Sequence, residues 1–504
     1  MGTLSAQRAT ALADRELLGS VADGDFSKAA DEAERLPGFW LVDKLPYVPL
    51  AFLGLGLYRA WIELVFVGSF TSFAFDGSLI HNVYDTSMIA VLFGCAAAHR
   101  FIEPLYARRR FYLLTCLCMT AGGACAFAGM GFPDSGRALG IAAAIVGGAG
   151  TAGIILIWSE LYSCLPPARV GLYYCASIIA AAFILYFCKG LAAPWLAGTA
   201  ILLPFGSLAF AMLGFIGLPR LERPHASAAH FSFPWKPVLI MAVYAFAWGM
   251  RETSQYATGF GPHSAPGTMA VAVLLFVLIW RKGERFEFNT FYRIALPLMM
   301  GAFLVIPAFG SLNAQVSNFC AMASYTAFSV LIMLILAHLS YRYSISAVWL
   351  FGIERGVRAL FSIAGRMTAE SFALLAAPPI ASLIIGSATV ALVVIGTMLF
   401  VSEKDFAGRW GVSFRSAGDT PSEAARLRRG DIDRRCSEMA DRFGLSPRET
   451  DVLKLLARKR TVGQIQNDLT LSKDTVKTHV KHIYRKMNVH SRPELFDLLG
   501  IVED

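Results

Sequence analysis

Apolar residues gather between positions 46 and 401 into long blocks parted by short polar stretches. A helix that crosses the bilayer core needs about 20 apolar residues, because each backbone N–H and C=O must be bonded inside the segment. Twelve blocks meet that need, at approximately 46–66, 79–98, 111–132, 138–162, 171–190, 195–218, 236–252, 264–280, 291–309, 317–339, 346–364 and 380–401. The eighth is the weakest, since its strongly apolar run covers only Thr268–Trp280, and a tilted or partly re-entrant segment is an alternative there. Residues 1–45 and 402–504 lack the pattern. The first is polar, and the apolar run after it is too long for a cleavable segment, so no signal peptide is expected.

Composition sharpens this division. Of the 504 residues, 56% are apolar and 16% charged, and the mean hydropathy is +0.53. Those values exclude a soluble enzyme of several ordinary domains and a disordered chain. The charge is unevenly spread: residues 46–401 hold 20 Lys and Arg and 12 Asp and Glu, whereas the much shorter stretch 402–504 holds 20 and 16. One chain therefore joins an apolar body to a charged tail. The net charge of +9 makes a membrane surface or a nucleic acid a plausible partner. Nine cysteines occur without a CxxC pair, so no metal or cofactor is expected.

Loop charges orient the body. With the N-terminus inside, the inner loops carry thirteen Lys and Arg, and the outer loops carry only Arg137, Lys189, Arg251 and Arg366. Twelve spans then return the tail to the cytoplasm. The longest inner connection, Arg220–Pro234, divides the body into six plus six. This division, the echo of Arg59 and Glu63 in Arg251 and Glu252, and the basic loop from Gly94 through His99-Arg100 to Arg108-Arg109-Arg110 resemble the major facilitator superfamily. Its usual loop pattern contains an Asp that is missing here. The resemblance implies two six-helix halves around a central cavity.

Charges inside the spans are few, and each needs partners or water. Arg59 and Glu63, His81 and Asp85, and Glu354 and Arg358 stand four residues apart, on one helix face each. Glu160 lies near the end of the fourth span. Two readings stay open: internal ion pairs that lock helices, or the polar lining of a ligand cavity. The second assigns a ligand site to Tyr58, Arg59, Glu63, Asp85, Glu160, Trp248, Glu354 and Arg358. Aromatics near these charges fit either cavity walls or interfacial belts.

The tail opens on a Gly- and Ser-rich stretch, 402–419, followed by Thr420-Pro421-Ser422-Glu423, which has the order of a capping box with Pro at the first helical position. A connector helix is expected to about Arg442. Pro447 to Ala457 and Thr461 to Leu469 read as two further helices, and Ser472 as the cap of a third that runs to Met487. In that helix Val476, Val480, Ile483 and Met487 form one apolar stripe, while Lys473, Lys477, Thr478, Lys481 and Arg485 take the opposite face. A short helix, a tight turn and a second helix with a basic outer face fit a helix-turn-helix.

Here the residues become specific. Leu445-Ser446-Pro447-Arg448-Glu449, Val452-Leu453-x-Leu455-Leu456-Ala457, Leu471-Ser472-x-x-Thr475-Val476-Lys477-Thr478-His479-Val480 and Ile483-Tyr484-x-Lys486-Met487-x-Val489-x-Ser491-Arg492 resemble the LuxR-type DNA-binding domain. The resemblance implies that Lys477, Thr478 and Lys481 face base edges and that Lys473, Arg485 and Arg492 touch phosphates. It also implies that Glu449 pairs within the domain and that two copies meet on DNA, often through the last helix. Lys459 and Gln466 stand where the family usually has Gly and Ala, and Asn488 where Gly is common.

The expected architecture is all-α: an N-terminal segment (1–45), a twelve-helix membrane bundle (46–401), a linker and connector helix (402–442) and a small soluble helix-turn-helix domain (443–504). The expected function is a one-component transcriptional regulator in the inner membrane, with both termini cytoplasmic. Its expected partners are the bilayer, double-stranded DNA, an unidentified small molecule and a second copy of the chain. A solute transporter with a regulatory DNA-binding tail is the alternative. An enzyme is not expected, since no P-loop, nucleophile elbow, kinase signature or metal motif is present.

Overall fold

The computed structural model describes residues 48–67, 70–71, 77–218, 223–224, 233–256, 261–282, 297–300, 313–343, 345–374, 379–400, 429–458, 460, 462–469 and 471–499. Every long element among them is a helix, and they divide into two compact units, Val48–Arg435 and a unit that begins at Cys436.

The body contains α1 (Leu50–Val67), α2 (Gly77–Ala97), α3 (Arg109–Gly131), α4 (Gly136–Tyr162), α5 (Pro167–Cys188), α6 (Ala193–Ile216), α7 (Trp235–Tyr256), α8 (Pro266–Lys282), α9 (Asn313–Tyr343), α10 (Ala347–Leu374) and α11 (Pro379–Phe400). Eleven of the twelve expected spans thus have a helix. The ninth expected span lies outside the described residues except for a helical piece at 297–300. The eighth is a continuous 17-residue helix. Seven of the described helices are long and apolar enough to cross a membrane. α7 and α10 fall outside that group although they run 22 and 28 residues, because both carry charge along their length.

Two expected boundaries change. α9 and α10 each extend beyond the apolar blocks that predicted them, and α10 reaches Leu374 rather than 364. Arg366 therefore lies on α10, and Arg251 lies on α7, which runs to Tyr256, so neither is in an outer loop. Arg251 donates to Asn318 Oδ1 at 2.9 Å, and Arg366 is buried. A helix continues past a charge when the charge finds a partner inside, which a hydropathy window cannot register.

Helix pairing follows the six-plus-six division. α1 packs on α5 and α6, and α7 packs on α9, α10 and α11. The largest contacts across the halves are α2 with α10 and α5 with α8. In span order these are the second with the eleventh and the fifth with the eighth, pairs that interchange on a shift of six spans. Glycine permits the closest crossings. A Cβ on Gly122 of α3 would meet the Gly147 Cα of α4 at 2.8 Å, and one on Gly365 of α10 would collide with the Phe246 carbonyl of α7. Backbones in such contact gain dispersion energy that side chains would otherwise hold apart.

The described part of the connector helix, α12 (Arg429–Phe443), runs into the tail unit at Cys436, and that unit then contains α13 (Pro447–Ala457), α14 (Val462–Leu469), α15 (Lys473–Met487) and α16 (Arg492–Leu498). The proposed linker and the capping box at 420–423 lie outside the described residues. Gly444 takes φ +63° and turns the chain out of α12, with Leu445 N donating to Ala440 O at 2.9 Å. Val452, Leu453, Leu456, Ile465, Val476, Ile483, Met487 and Phe496 form a buried core.

Candidate nucleic-acid interface and polar centre of the body

Local chemistry sets the geometry of α15. The Ser472 side chain accepts from Thr475 N at 3.1 Å and starts the helix. Asn488 closes it at φ 54°, ψ 43°, in the left-handed region that Asn tolerates. Between these caps Val476, Ile483 and Met487 are buried. That pins the helix rotation, so Lys473, Lys477, Lys481 and Arg485 form an exposed cationic row at four-residue spacing. Thr478 is exposed beside the row, its hydroxyl donating to Asp474 O at 2.8 Å. An exposed cationic row on a helix is the kind of surface that contacts phosphates and base edges in a major groove.

Behind the row, Glu449 ties three elements together. It completes a capping box at the start of α13: Ser446 N donates to Glu449 Oε2 at 2.7 Å, and Glu449 N donates to Ser446 Oγ at 3.3 Å. Lys486 Nζ also reaches Glu449 Oε2 at 2.7 Å and Gly444 O at 3.0 Å. Burial acts to raise this carboxyl, but the hydrogen bonds from Lys486 and Ser446 outweigh it and hold the group at about 2. Glu449 pairs within the domain, as the resemblance implied.

Arg492 is placed differently from the rest of the expected DNA-contacting set. Its Nη2 donates to Leu456 O at 3.2 Å and Arg460 O at 2.8 Å, and its guanidinium lies 5.4 Å from the Phe496 ring centroid. Burial lowers its pKa. The start of α16 is thereby braced against the end of α13, and the guanidinium faces inward more than outward. The two carbonyls it engages belong to residues over thirty positions away, so no local pattern announces this role. Lys459 lies outside the described residues, and Gln466 is half-buried.

In the body, the eight candidate ligand residues separate into distinct groups. Tyr58 and Arg59 of α1 meet Tyr174 of α5 and the charges of α10. Arg59 Nη1 donates to Tyr174 Oη at 3.1 Å. Arg358 Nε donates to Glu354 Oε1 at 2.7 Å, and Arg358 Nη1 donates to Ser329 Oγ of α9 at 3.0 Å. Arg355, beside them, approaches Glu354 Oε2 at 3.4 Å and bonds the Tyr174 hydroxyl. Trp248 lies next to this group, its ring 5.5 Å from that of Tyr325.

The other three candidates stand apart. Glu63 accepts from Gly261 N at 3.1 Å, His263 N at 2.7 Å and Ser264 N at 3.0 Å, and from the Ser264 hydroxyl. Asp85 pairs with Arg366 Nη2 at 2.5 Å, while Arg366 Nη1 reaches Glu252 at 2.9 Å and its Nε reaches Asn82 at 3.0 Å. This network joins α2, α7 and α10. Glu160 accepts from the backbone of Leu105 and Tyr106, both at 2.9 Å, and holds the loop between α2 and α3. In that loop Glu103 accepts from Ser346, and burial pushes its carboxyl up to about 7. Arg355 and Arg366 were absent from the expected site. The four-residue rule passed over Arg355, and Arg366 was read as a loop charge. Tyr58, Trp61, Trp158 and Trp248 are buried, and Trp158 Nε1 donates to Ser207 at 3.0 Å; these rings face the protein interior rather than a membrane interface.

Comparison with known proteins agrees with the tail geometry. Residues 444–499 match the family described as bacterial regulatory proteins, luxR family. The nitrate/nitrite response regulator NarL of Escherichia coli K12 is 41% identical over 75 residues, 15% of this chain and 33% of that protein. An uncharacterized response regulatory protein of the same organism, YgeK, is 39% identical over 64 residues, 12% of this chain and 44% of that protein. The chain thus spans about a third of the length of the first curated relatives it matches. Among solved structures, a major facilitator superfamily transporter, FucP, in the outward conformation is similar at a TM-score of 0.47 and 13% identity, covering 70% of this chain and 97% of that one. The human organic anion transporter MFSD10 is similar at a TM-score of 0.43 and 16% identity, covering 70% and 98%. The tail carries a LuxR-family DNA-binding regulator domain.

Proposed function

We propose that the chain is a membrane-bound transcriptional regulator whose body senses a small molecule and whose tail binds promoter DNA. The observation that supports it most is the exposed row Lys473, Lys477, Lys481 and Arg485 on a LuxR-family domain, in one chain with a polytopic apolar bundle. In this reading Lys477, Thr478 and Lys481 meet base edges, and Lys473 and Arg485 hold phosphates. The working boundaries are 46–401 for the membrane domain, 402–442 for linker and connector, and 443–504 for the DNA-binding domain. Both termini lie in the cytoplasm, where DNA is, as the excess of inner-loop cations favours. Two chains pair on DNA, because a single small domain reads too few base pairs for promoter specificity.

Sensing requires that the ligand bind two body conformations unequally, since equal affinity shifts no population. The contacts of α10 with α2 and α7 are a natural place for such a change. The test is selection of genomic DNA fragments by the full chain in lipid nanodiscs. The expected result is recovery of a small set of related sites, with affinity falling steeply as salt rises. Recovery of no preferred sequence, at concentrations that allow dimers, would sink the reading.

A further inference from the structure

Three arginines gather around Tyr174 in the body, with a single carboxylate beside them. Arg59 comes from α1, and Arg355 and Arg358 come from α10, while Glu354 is the acid among them. Arg358 donates Nε and Nη2 to one oxygen of Glu354, Oε1, while Glu354 Oε2 lies 3.4 Å from Arg355 Nε. Three guanidiniums thus share one carboxylate among the described residues, two positive charges in excess. Glu63, one turn beyond Arg59 on α1, already accepts from the 261–264 backbone; even counted in full it leaves one positive charge over.

Both remaining guanidiniums have unmet capacity. Arg59 Nε is buried without a hydrogen-bond partner among the described residues, and Arg355 Nε has only the 3.4 Å ion pair with Glu354 Oε2. Arg59 Nη1 donates to the Tyr174 hydroxyl, which Arg355 also bonds, with buried Tyr58 alongside. An uncompensated charge inside a membrane protein is costly, and such groups mark ligand or ion pathways. Guanidinium forks favour planar oxyanions, and phenol rings add a face for stacking and a hydroxyl for a further hydrogen bond.

We infer that this cluster binds an organic anion, with its carboxylate or other oxyanion held between Arg59 and Arg355 and its apolar part against Tyr58 and Tyr174. The inference rests on the sensing reading above for its biological meaning, but not for the binding itself. Because the site draws on both α1 and α10, an anion that closes it pulls together helices from the two halves of the body. Arg59 and Arg355 bind the acid group, and Arg358 acts as a positioning residue that keeps Glu354 occupied.

The test is a thermal-shift and calorimetric titration of the full chain in detergent with benzoate, phenylacetate and phenyl phosphate, against benzamide, benzyl alcohol and phenethylamine. Expected is a rise in Tm with at least one anion and none with the neutral or cationic compounds. Arg59→Gln should weaken that binding about tenfold or more, the scale of losing hydrogen bonds to a charged group. Should Arg59→Gln fold poorly, Arg355→Lys keeps the charge without the fork and should weaken binding while leaving the ligand-free Tm near that of the parent. Preference for carboxylates over phenyl phosphate, or the reverse, names the acid group. Equal shifts with benzamide, unchanged binding in both variants, or no shift with any of the three anions would overturn the assignment. DNA binding by the same samples in nanodiscs separates the two ideas. Anion binding that leaves DNA affinity unchanged retains the site and rejects sensing. A cationic or neutral ligand that alters DNA affinity rejects the site and retains sensing.

Discussion

Arg366 in the body and Lys477 in the tail are both cations on long helices, yet the surroundings of each are opposite. Arg366 is buried and meets Asp85, Glu252 and Asn82 on two other helices. Lys477 is exposed in a row of like charges. In a medium without water a cation persists only with partners supplied by the protein, so the charge acts as a joint. In water a cation needs no internal partner and is free to meet a polyanion. The same residue class is thus architecture in one unit and interface in the other, and solvent makes the difference.

The strongest way to break this contrast is Arg366→Leu. It leaves Asp85 and Glu252 facing each other without their shared cation, at a cost of about 3–5 kcal/mol. The expected outcome is a large loss of folded protein in membranes and a lower Tm, checked by fluorescence size-exclusion chromatography of a tagged chain. Normal accumulation would mean that the network is not a joint. Next in size, Lys477→Ala with Lys481→Ala should reduce specific DNA affinity by about 1–3 kcal/mol for each base contact and flatten the salt dependence by about one unit for each phosphate contact. The Tm should not move, because both side chains are exposed.

Glu449→Gln tests a tail residue that behaves like those of the body. It should cost the tail about 1–2 kcal/mol through loss of the charged pair with Lys486, since Gln can still accept from Ser446 N. The pH dependence has a definite sign. The folded-state pKa, about 2, lies below the ordinary carboxyl value. The stability that Glu449 contributes is therefore present above its ordinary pKa and lost as pH falls toward 2. Acid unfolding followed by circular dichroism should be shallower over that window in the Gln variant. The smallest expected effect concerns Arg492→Gln: a modest fall in tail stability with little change in salt slope, because the guanidinium braces Leu456 and Arg460 carbonyls. A salt slope reduced by a full unit would restore it to the phosphate-contacting group.

Much of the helical layout was readable because a bilayer demands long apolar runs and a helix-turn-helix uses local signals. Ser472, Asn488 and the stripe of Val476, Ile483 and Met487 each act within a turn or two of themselves. What escaped the sequence depends on distance along the chain. Asp85 and Arg366 are 281 residues apart, and Glu160 holds backbone 55 and 54 residues away. No window spans such pairs, so the eight candidate ligand residues looked like one set and Arg366 looked like a loop charge. Arg492 shows the same limit: the resemblance points it at a phosphate, while the carbonyls that engage it come from α13 and the turn beyond.

A chain anchored in the membrane that reads DNA through the row on α15 must occupy promoter sites in the cell. Chromatin immunoprecipitation of the full-length protein, beside its Lys477→Ala/Lys481→Ala variant, measures this directly. The account predicts discrete occupied sites for the parent and their loss in the variant, with both proteins recovered in the membrane fraction. Equal occupancy by the two proteins, or no occupied site for the parent, would contradict it.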